Sequence, residues 1–344
     1  MRLEDAFATF LPQIEEEMRS LVAPPDSLAA GHYHIMEYHL GWRDPLLGAA
    51  YFSAGKRIRP MLCVLGCGAS GGRPEAAIPA AAGLELLHNF SLLHDDIEDD
   101  SPTRRHRPTA WVIFGMPLAC NAADGMFGLS HLAFYRLREQ GVPDKAVVEA
   151  LEKFDRMCLR LTEGQYLDMS FETRLDVTTT EYDRMIAGKT GALLGCSPEI
   201  GALVAGASAA EVASYRRYGE GLGRAFQLQD DVLGIWGDEA ETGKSVASDI
   251  LAKKKSFPVV HALTHPATAG EMRERYAGPA FGPDDIGPIL SILDRAESRE
   301  ATENEVRRAS DAARAALDDV APSANPQYLN VMRDLLEALV SRRT

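Results

Sequence analysis

No CxxC pair occurs in the 344-residue chain, and its five cysteines, Cys63, Cys67, Cys120, Cys158 and Cys196, form an odd set. That argues against a disulfide framework and a cysteine zinc module, and it fits a reducing compartment. Positive charge is also scarce: 36 Lys and Arg stand against 50 Asp and Glu, a net charge of -14. A diffuse basic footprint for nucleic acid is therefore not expected, and any anionic ligand must be met by local positive charge. No window reaches the roughly 18 uninterrupted apolar residues of a membrane span. The opening MRLEDAFATF carries acids where a secretory signal needs an apolar core. A soluble cytoplasmic protein is expected, with no nucleic-acid partner and no stable membrane insertion. Strand signals are nearly missing as well, with no convincing run of alternating β-branched residues and no Asn-Gly or Asp-Gly hairpin between apolar runs.

Helical periodicity fills the space left by these absences. Leu3, Phe7, Phe10, Ile14, Met18 and Leu21 recur at three- and four-residue intervals, with Glu15, Glu16 and Glu17 near the middle. Similar stripes recur along the chain, and with 46% hydrophobic residues they can bury a large core. Breaks fall at 68–74, 101–108, 176–180, 237–244 and 265–287, and Arg295 to Arg314 reads as a solvated helix face. None of the breaks has the composition of a linker, so a single all-α domain over 1–344 is expected.

One feature occurs twice: an apolar helix ending in Asp-Asp, at Asp95-Asp96 and again at Asp230-Asp231. Asp95 and Asp99 are one turn apart on one helix face, with His88 two turns below. Acids at a helix C-terminus oppose the helix dipole, so the cluster is costly unless a cation binds it. Magnesium, which bridges one or two carboxylates to substrate phosphates, suits the pair better than zinc or calcium. In the second motif Gln227, Asp230, Asp231 and Gly234 share a face. Basic residues accompany both: Arg104, Arg105 and Arg107 follow the first, Lys244 and Lys253 to Lys255 follow the second, and Lys56, Arg57 and Arg59 open another helix in GKRIRP. Alternating acids and bases suggest a metal-bridged diphosphate.

From GKRIRP through ELLHNFSLLHDDIED, RRHRPTAW, GQYLDMSF, GKTGALLG, FQLQDDVLGIWGD and TGKSVASDILAKKKS, the chain resembles the trans-isoprenyl diphosphate synthases of the polyprenyl synthetase family over nearly its whole length. The resemblance implies one large helical bundle of the isoprenoid synthase type around a deep central cavity, usually a homodimer, with the aspartate motifs facing each other across the mouth. It implies a trans-prenyltransferase joining isopentenyl diphosphate to dimethylallyl, geranyl or farnesyl diphosphate. Asp95, Asp99 and Asp230 would hold two or three magnesium ions on the allylic diphosphate, with Arg104, Lys189, Lys244 and Lys254 completing its neutralisation. Lys56, Arg59, His88 and Arg105 would bind isopentenyl diphosphate, and Thr190 and Gln227 would sit beside the reacting carbons.

Two positions depart from the family pattern. Gly234 stands where a third aspartate is common, and His106 makes RRH of the usual RRG. Asp230 keeps the direct ligand position, so catalysis is expected to survive, with Asp231 or Asp238 acting through waters. Phe90, about 7.5 Å below Asp95 along the helix axis, is the candidate floor for the growing chain, with small Ser91 beside it. In the family a single aromatic residue there resembles the twenty-carbon type, so geranylgeranyl diphosphate is the expected product and farnesyl diphosphate the alternative. A terpene cyclase on the same scaffold is a further alternative, disfavoured because it should not need Lys56, Arg59 and His88. Cys63, Cys67, Trp111 and Trp236 read as core or contact residues, and His32, His34 and His39 as an aromatic packing surface rather than a metal site.

Overall fold

The computed structural model describes residues 1–52, 55–237 and 247–341. In chain order the helices are α1 (Leu3–Val22), α2 (Ala30–His39), α3 (Ile58–Ala69), α4 (Ile78–Glu98), α5 (Ala110–Phe114), α6 (Met116–Tyr135), α7 (Asp144–Phe171), α8 (Thr179–Ile186), α9 (Ala192–Val204), α10 (Ala209–Trp236), α11 (Ser248–Leu251), α12 (Phe257–Thr264), α13 (Ala269–Ala277), α14 (Pro283–Arg295), α15 (Ser298–Val320) and α16 (Pro326–Val340). The all-α expectation holds. Two compact units can be distinguished. One comprises Met1–Lys153, Ser197–Val212 and Ser323–Val331; the other comprises Phe154–Cys196, Ala213–Pro322 and the chain from Met332 onward.

In the first unit the α1 stripe buries Phe10, Ile14, Met18 and Leu21, while Leu3 and Phe7 at its start are half-buried. Helix α4 is the central element of that unit. Together with the short turn before it, it is long and apolar enough to cross a membrane by composition, yet most of it is buried within the protein. Leu84, Leu86, Leu87 and Leu93 are fully enclosed, each contributing about 1.5–3 kcal/mol of burial. In the second unit, one core cluster joins Ile235, Ile250, Val259, Leu263, Met272, Ile289 and Leu293. A second gathers Phe171, Tyr182, Met185, Leu228, Phe257 and Val306.

Three segments differ from the sequence reading. The stretch 265–287 is not one break: it contains α13 and the start of α14, whose Pro283 occupies the first turn, where its missing N–H costs nothing. The face of Arg295 to Arg314 is not wholly solvated, since Thr302, Val306, Ala309, Ser310 and Ala313 are buried along α15. The break at 101–108 contains a two-stranded hairpin, β1 (Thr103–Arg104) and β2 (Arg107–Pro108). Its turn residues Arg105 and His106 both have positive φ, 51° and 61°. Such a turn ordinarily takes Asn-Gly, which is why the sequence carries no hairpin signal. The strain is held by Arg107, which donates to Tyr38 O at 3.1 Å and Arg43 O at 2.8 Å and lies over the rings of Tyr38 and Phe52. The break at 176–180 is a helix start, where Thr178 and Glu181 cap α8 reciprocally.

Candidate active site

The first group of expected residues lies in the first unit. Asp99 ends α4 with its N–H donating to Asp95 O at 2.9 Å, so the two residues keep the one-turn spacing read from the sequence. The hairpin delivers Arg104 to this end of the helix: Nη2 donates to Asp95 Oδ2 at 2.9 Å and Nε to Asp96 Oδ1 at 2.6 Å. Asp96 is buried, and burial, outweighing the help of Arg104, pushes its carboxyl up to about 6 from 3.8. An acid with a raised folded-state pKa binds its proton more tightly when folded. Its contribution to stability is therefore fully present below about pH 4 and is lost as pH rises through about 6. In the metal-free protein, Asp96→Asn should remove this slope. Urea unfolding at pH 4.5 and 7.5 should show the variant gaining on wild type by about 2 kcal/mol at the higher pH. A difference that does not change with pH would contradict it.

A separate cationic cluster forms around the start of α3. Arg57 donates Nε to Glu15 Oε1 at 2.9 Å and Nη1 to Glu85 Oε1 at 2.6 Å, while Glu15 also accepts from Trp42 Nε1 at 3.0 Å. Glu15, one of three consecutive glutamates near the middle of α1, is thus drawn to this cluster. Arg59 Nη1 lies 3.2 Å from His88 Nε2. A guanidinium can only donate, so His88 accepts at Nε2 and carries its proton on Nδ1. Burial, reinforced by Arg59 and Arg105, holds the His88 pKa well below the usual range, so the ring is neutral. Burial lowers Arg59 too, and it brings Arg105 down to about 10. Among the described residues, Arg57 Nη2 and Arg59 Nε are buried donors without a hydrogen-bond partner. Buried guanidinium donors left unfilled mark a place built for an oxyanion.

The second group lies in the second unit. A π-turn at Ala187–Gly191 follows α8 and carries Lys189 and Thr190. Gly164 of α7 packs so closely there that a β carbon would lie 2.1 Å from Lys189 N. One turn further along α7, Asp168 forms an ion pair with Lys189 Nζ. Thr190 Oγ1 donates to Gln227 Oε1 at 3.0 Å, and Gln227 Nε2 donates to Asp231 Oδ1 at 3.2 Å. Asp231 is fully buried; its Oδ2 accepts from the Tyr182 hydroxyl and from Phe257 N at 2.8 Å. Burial pushes its carboxyl up, against Lys254 and these donors. The expectation that Asp231 acts through waters is therefore replaced: it is an internal hub whose oxygens are already engaged by protein groups. Lys254 Nζ lies 3.7 Å from Asp231 Oδ1 and 3.6 Å from Asp249 Oδ2. Desolvation disfavours its charge, but Asp231, Asp249, Asp168 and Asp230 together outweigh it and hold the ammonium above its ordinary value.

The lysine run divides by role. Lys253 Nζ donates to Gly278 O at 2.8 Å and Pro279 O at 3.0 Å and sits 4.5 Å from the Phe281 ring. Lys255 donates to Glu172 O at 3.2 Å and lies 4.8 Å from the Tyr276 ring. Within the run, Lys254 is the one paired with the aspartates. Lys56 is exposed just before α3; Lys244 and Asp238 lie outside the described residues. Sequence reasoning missed Asp168, Tyr182, Asp249 and Glu85, which join the expected residues through pairings remote in sequence. Phe90 contacts His94 at 5.0 Å and Phe127 of α6 at 5.2 Å between ring centroids, and Ser91 Oγ turns back to His88 O at 2.8 Å.

Among the described residues no three His, Cys, Asp or Glu donors form a ready metal cage. Paired carboxylates without a cage fit a hard cation that keeps waters and takes other ligands from phosphate oxygens. A helical protein with such carboxylates, and elsewhere an unfilled guanidinium cluster, has the chemistry of enzymes that process phosphorylated substrates. The polyprenyl synthetase pattern matches residues 46–291, more than half of the chain, and the chain belongs to that family. It is a trans-prenyltransferase of the short-chain isoprenyl diphosphate synthase type.

Two relatives come from Mycobacterium tuberculosis. A (2E,6E)-farnesyl diphosphate synthase is 37% identical over 279 residues, 80% of this chain and 76% of that protein. A geranylgeranyl diphosphate synthase is 40% identical over 280 residues, 81% and 77% respectively. The crystal structure of a polyprenyl synthetase from Streptomyces coelicolor A3(2) superposes with a TM-score of 0.87 at 34% identity, covering 98% of each chain. The all-α isoprenoid synthase fold implied by the motifs is thereby shown.

Proposed function

We propose that the protein condenses isopentenyl diphosphate with allylic diphosphates in a magnesium-dependent reaction and that its main product is geranylgeranyl diphosphate. The observation that carries this reading is the cationic cluster of Arg57, Arg59 and Arg105, in which, among the described residues, Arg57 Nη2 and Arg59 Nε are enclosed donors without a hydrogen-bond partner, apart from the Asp95 and Asp99 pair. Two anion-handling places suit two diphosphate substrates, whereas a terpene cyclase needs one.

Asp95, Asp99 and Asp230 would hold the magnesium ions, which when bound supply Lewis-acid charge to the departing diphosphate. Arg104, Lys189 and Lys254 would add fixed positive charge for the same group. Lys56, Arg59, Arg105 and neutral His88 would hold isopentenyl diphosphate. The allylic C1–O bond breaks, C4 of the isopentenyl double bond bonds to C1 and leaves a cation at C3 of that unit, and its C2 gives up a proton to the released diphosphate as the new C2=C3 double bond forms. The product is five carbons longer. Thr190 and Gln227, locked to each other, would place their oxygens beside the developing cation. We further propose a homodimer: Val112 on α5 and Met116, Leu118, Leu132 and Tyr135 on α6 expose apolar surface suited to a second copy.

Farnesyl diphosphate is the second reading, favoured by the Phe127 ring against Phe90, which thickens the candidate floor. The test is product length. Wild type should release mainly a twenty-carbon alcohol after dephosphorylation, and Phe90→Ala and Phe127→Ala should each lengthen it by at least one five-carbon unit. Chromatography showing unchanged length in both variants would remove these rings as the floor. A fifteen-carbon wild-type product would decide for the second reading.

A further inference from the structure

Arg57 caps the start of α3 in an unusual state: it is buried, and its backbone is left-handed, with φ 47° and ψ 39°. A residue with a side chain is strained there and persists only where its surroundings fix it. Carboxylates from two other helices do so. Arg57 Nε donates to Glu15 of α1 at 2.9 Å and Nη1 to Glu85 of α4 at 2.6 Å. Each acid is held in turn. The second oxygen of Glu15 accepts from the indole of buried Trp42 at 3.0 Å, and the Arg19 guanidinium lies 4.2 Å from the centre of that ring. Glu85 Oε1 also accepts from Asn89 Nδ2 at 3.0 Å. Hydrogen bonds therefore run without a gap from Trp42 through Glu15, Arg57 and Glu85 to Asn89. A guanidinium gripped at two nitrogens is fixed in plane and rotation, and only its Nη2 has no hydrogen-bond partner among the described residues. Lys56 precedes Arg57 directly and Arg59 follows two residues later, beside His88.

We propose that Glu15 is a positioning residue for isopentenyl diphosphate: acting from α1 and paired with Glu85, it fixes Arg57 and with it the left-handed start of α3, so that Lys56 and Arg59 meet the substrate in one arrangement. The first helix thus serves the site through its acid as well as the core through its apolar stripe. Two carboxylates offset the charge of Arg57, which makes that residue an anchor for its neighbours.

The inference rests on the reading of Lys56 and Arg59 as isopentenyl diphosphate ligands, and its test separates the two. Glu15→Ala and Glu15→Gln are compared with a matched control, Glu17→Ala: both glutamates have 20% exposed side chains on α1, but Glu17 pairs with Arg136 instead, at 3.0 Å. Each variant is followed by thermal unfolding, by equilibrium binding of isopentenyl diphosphate in magnesium buffer without a primer, and by KM for each substrate. Glu15→Ala should weaken isopentenyl diphosphate binding and raise its KM about tenfold or more, with KM for the allylic diphosphate within about threefold of wild type. Glu15→Gln can offer its one oxygen to Arg57 or to Trp42 but not to both, so it should fall between wild type and Glu15→Ala. Glu17→Ala should bind as wild type does, a contrast that loss of an α1 ion pair alone does not predict. If Glu15→Ala does not fold, a selective rise in isopentenyl diphosphate KM in Glu15→Gln decides for the inference. Wild-type binding in both Glu15 variants, an equal rise in both KM values, or the same rise in Glu17→Ala overturns it. A wild-type protein that binds isopentenyl diphosphate but joins it to no primer overturns the proposed function and leaves the binding test of Glu15 intact.

Discussion

Replacing Asp95 or Asp99 by alanine should lower turnover by about a thousandfold or more while the protein remains folded. Each carboxylate would hold a metal that neutralises charge on the departing diphosphate. Losing about 4 kcal/mol of that stabilisation corresponds to three powers of ten in rate. The folded state has much less at stake. Asp95 gives up an ion pair with Arg104, which keeps Asp96 as a partner, and pairs of this kind contribute about 0–1 kcal/mol. Removing either acid also relieves like-charge crowding at a helix end that disfavours anions. Steady-state assays at saturating magnesium, beside thermal unfolding curves, should show a collapse of kcat with a melting temperature close to wild type. A variant that loses its fold, or one that turns over at near the normal rate, contradicts the metal assignment.

The second motif should behave in the opposite way at its two aspartates. Asp231→Ala should destabilise the protein by about 3–5 kcal/mol, the cost of breaking a buried charged network from one side. Its removal leaves the Tyr182 hydroxyl, Phe257 N and Gln227 Nε2 without their acceptor and takes one carboxylate from Lys254. Asp230→Ala should instead abolish most turnover with little change in unfolding. Denaturant titrations and product formation measured on the same preparations separate the two effects. Equal stability in the two variants would mean that Asp231 is not the hub its contacts describe.

Local spacing made much of the site legible. The one-turn interval between Asp95 and Asp99 and the stripe on α1 are properties of a helix, so they could be read from sequence alone. Motif resemblance further brought out Arg59 with His88 and Thr190 with Gln227, pairs that the structure joins. Pairings between distant segments carry no such signature. Glu15 meets Arg57, Asp168 meets Lys189 and Asp249 rests on Gly234 through tertiary packing, and no periodicity announces it. The hairpin at Arg104 was hidden because arginine and histidine occupy turn positions where Asn-Gly is usual. The lysine run looked uniform in sequence, yet backbone carbonyls and aromatic rings hold Lys253 and Lys255 elsewhere and leave Lys254 to the aspartates.

The most direct measurement of the central claim is incorporation of labelled isopentenyl diphosphate. The protein is incubated with dimethylallyl, geranyl or farnesyl diphosphate, with magnesium or with excess chelator, and the products are dephosphorylated and separated. The account predicts label in linear alcohols that grow by five-carbon steps, ending mainly at twenty carbons, with both diphosphates and the metal required. Failure to consume isopentenyl diphosphate with any of the three primers, or formation of a cyclic hydrocarbon from an allylic diphosphate alone, would contradict it.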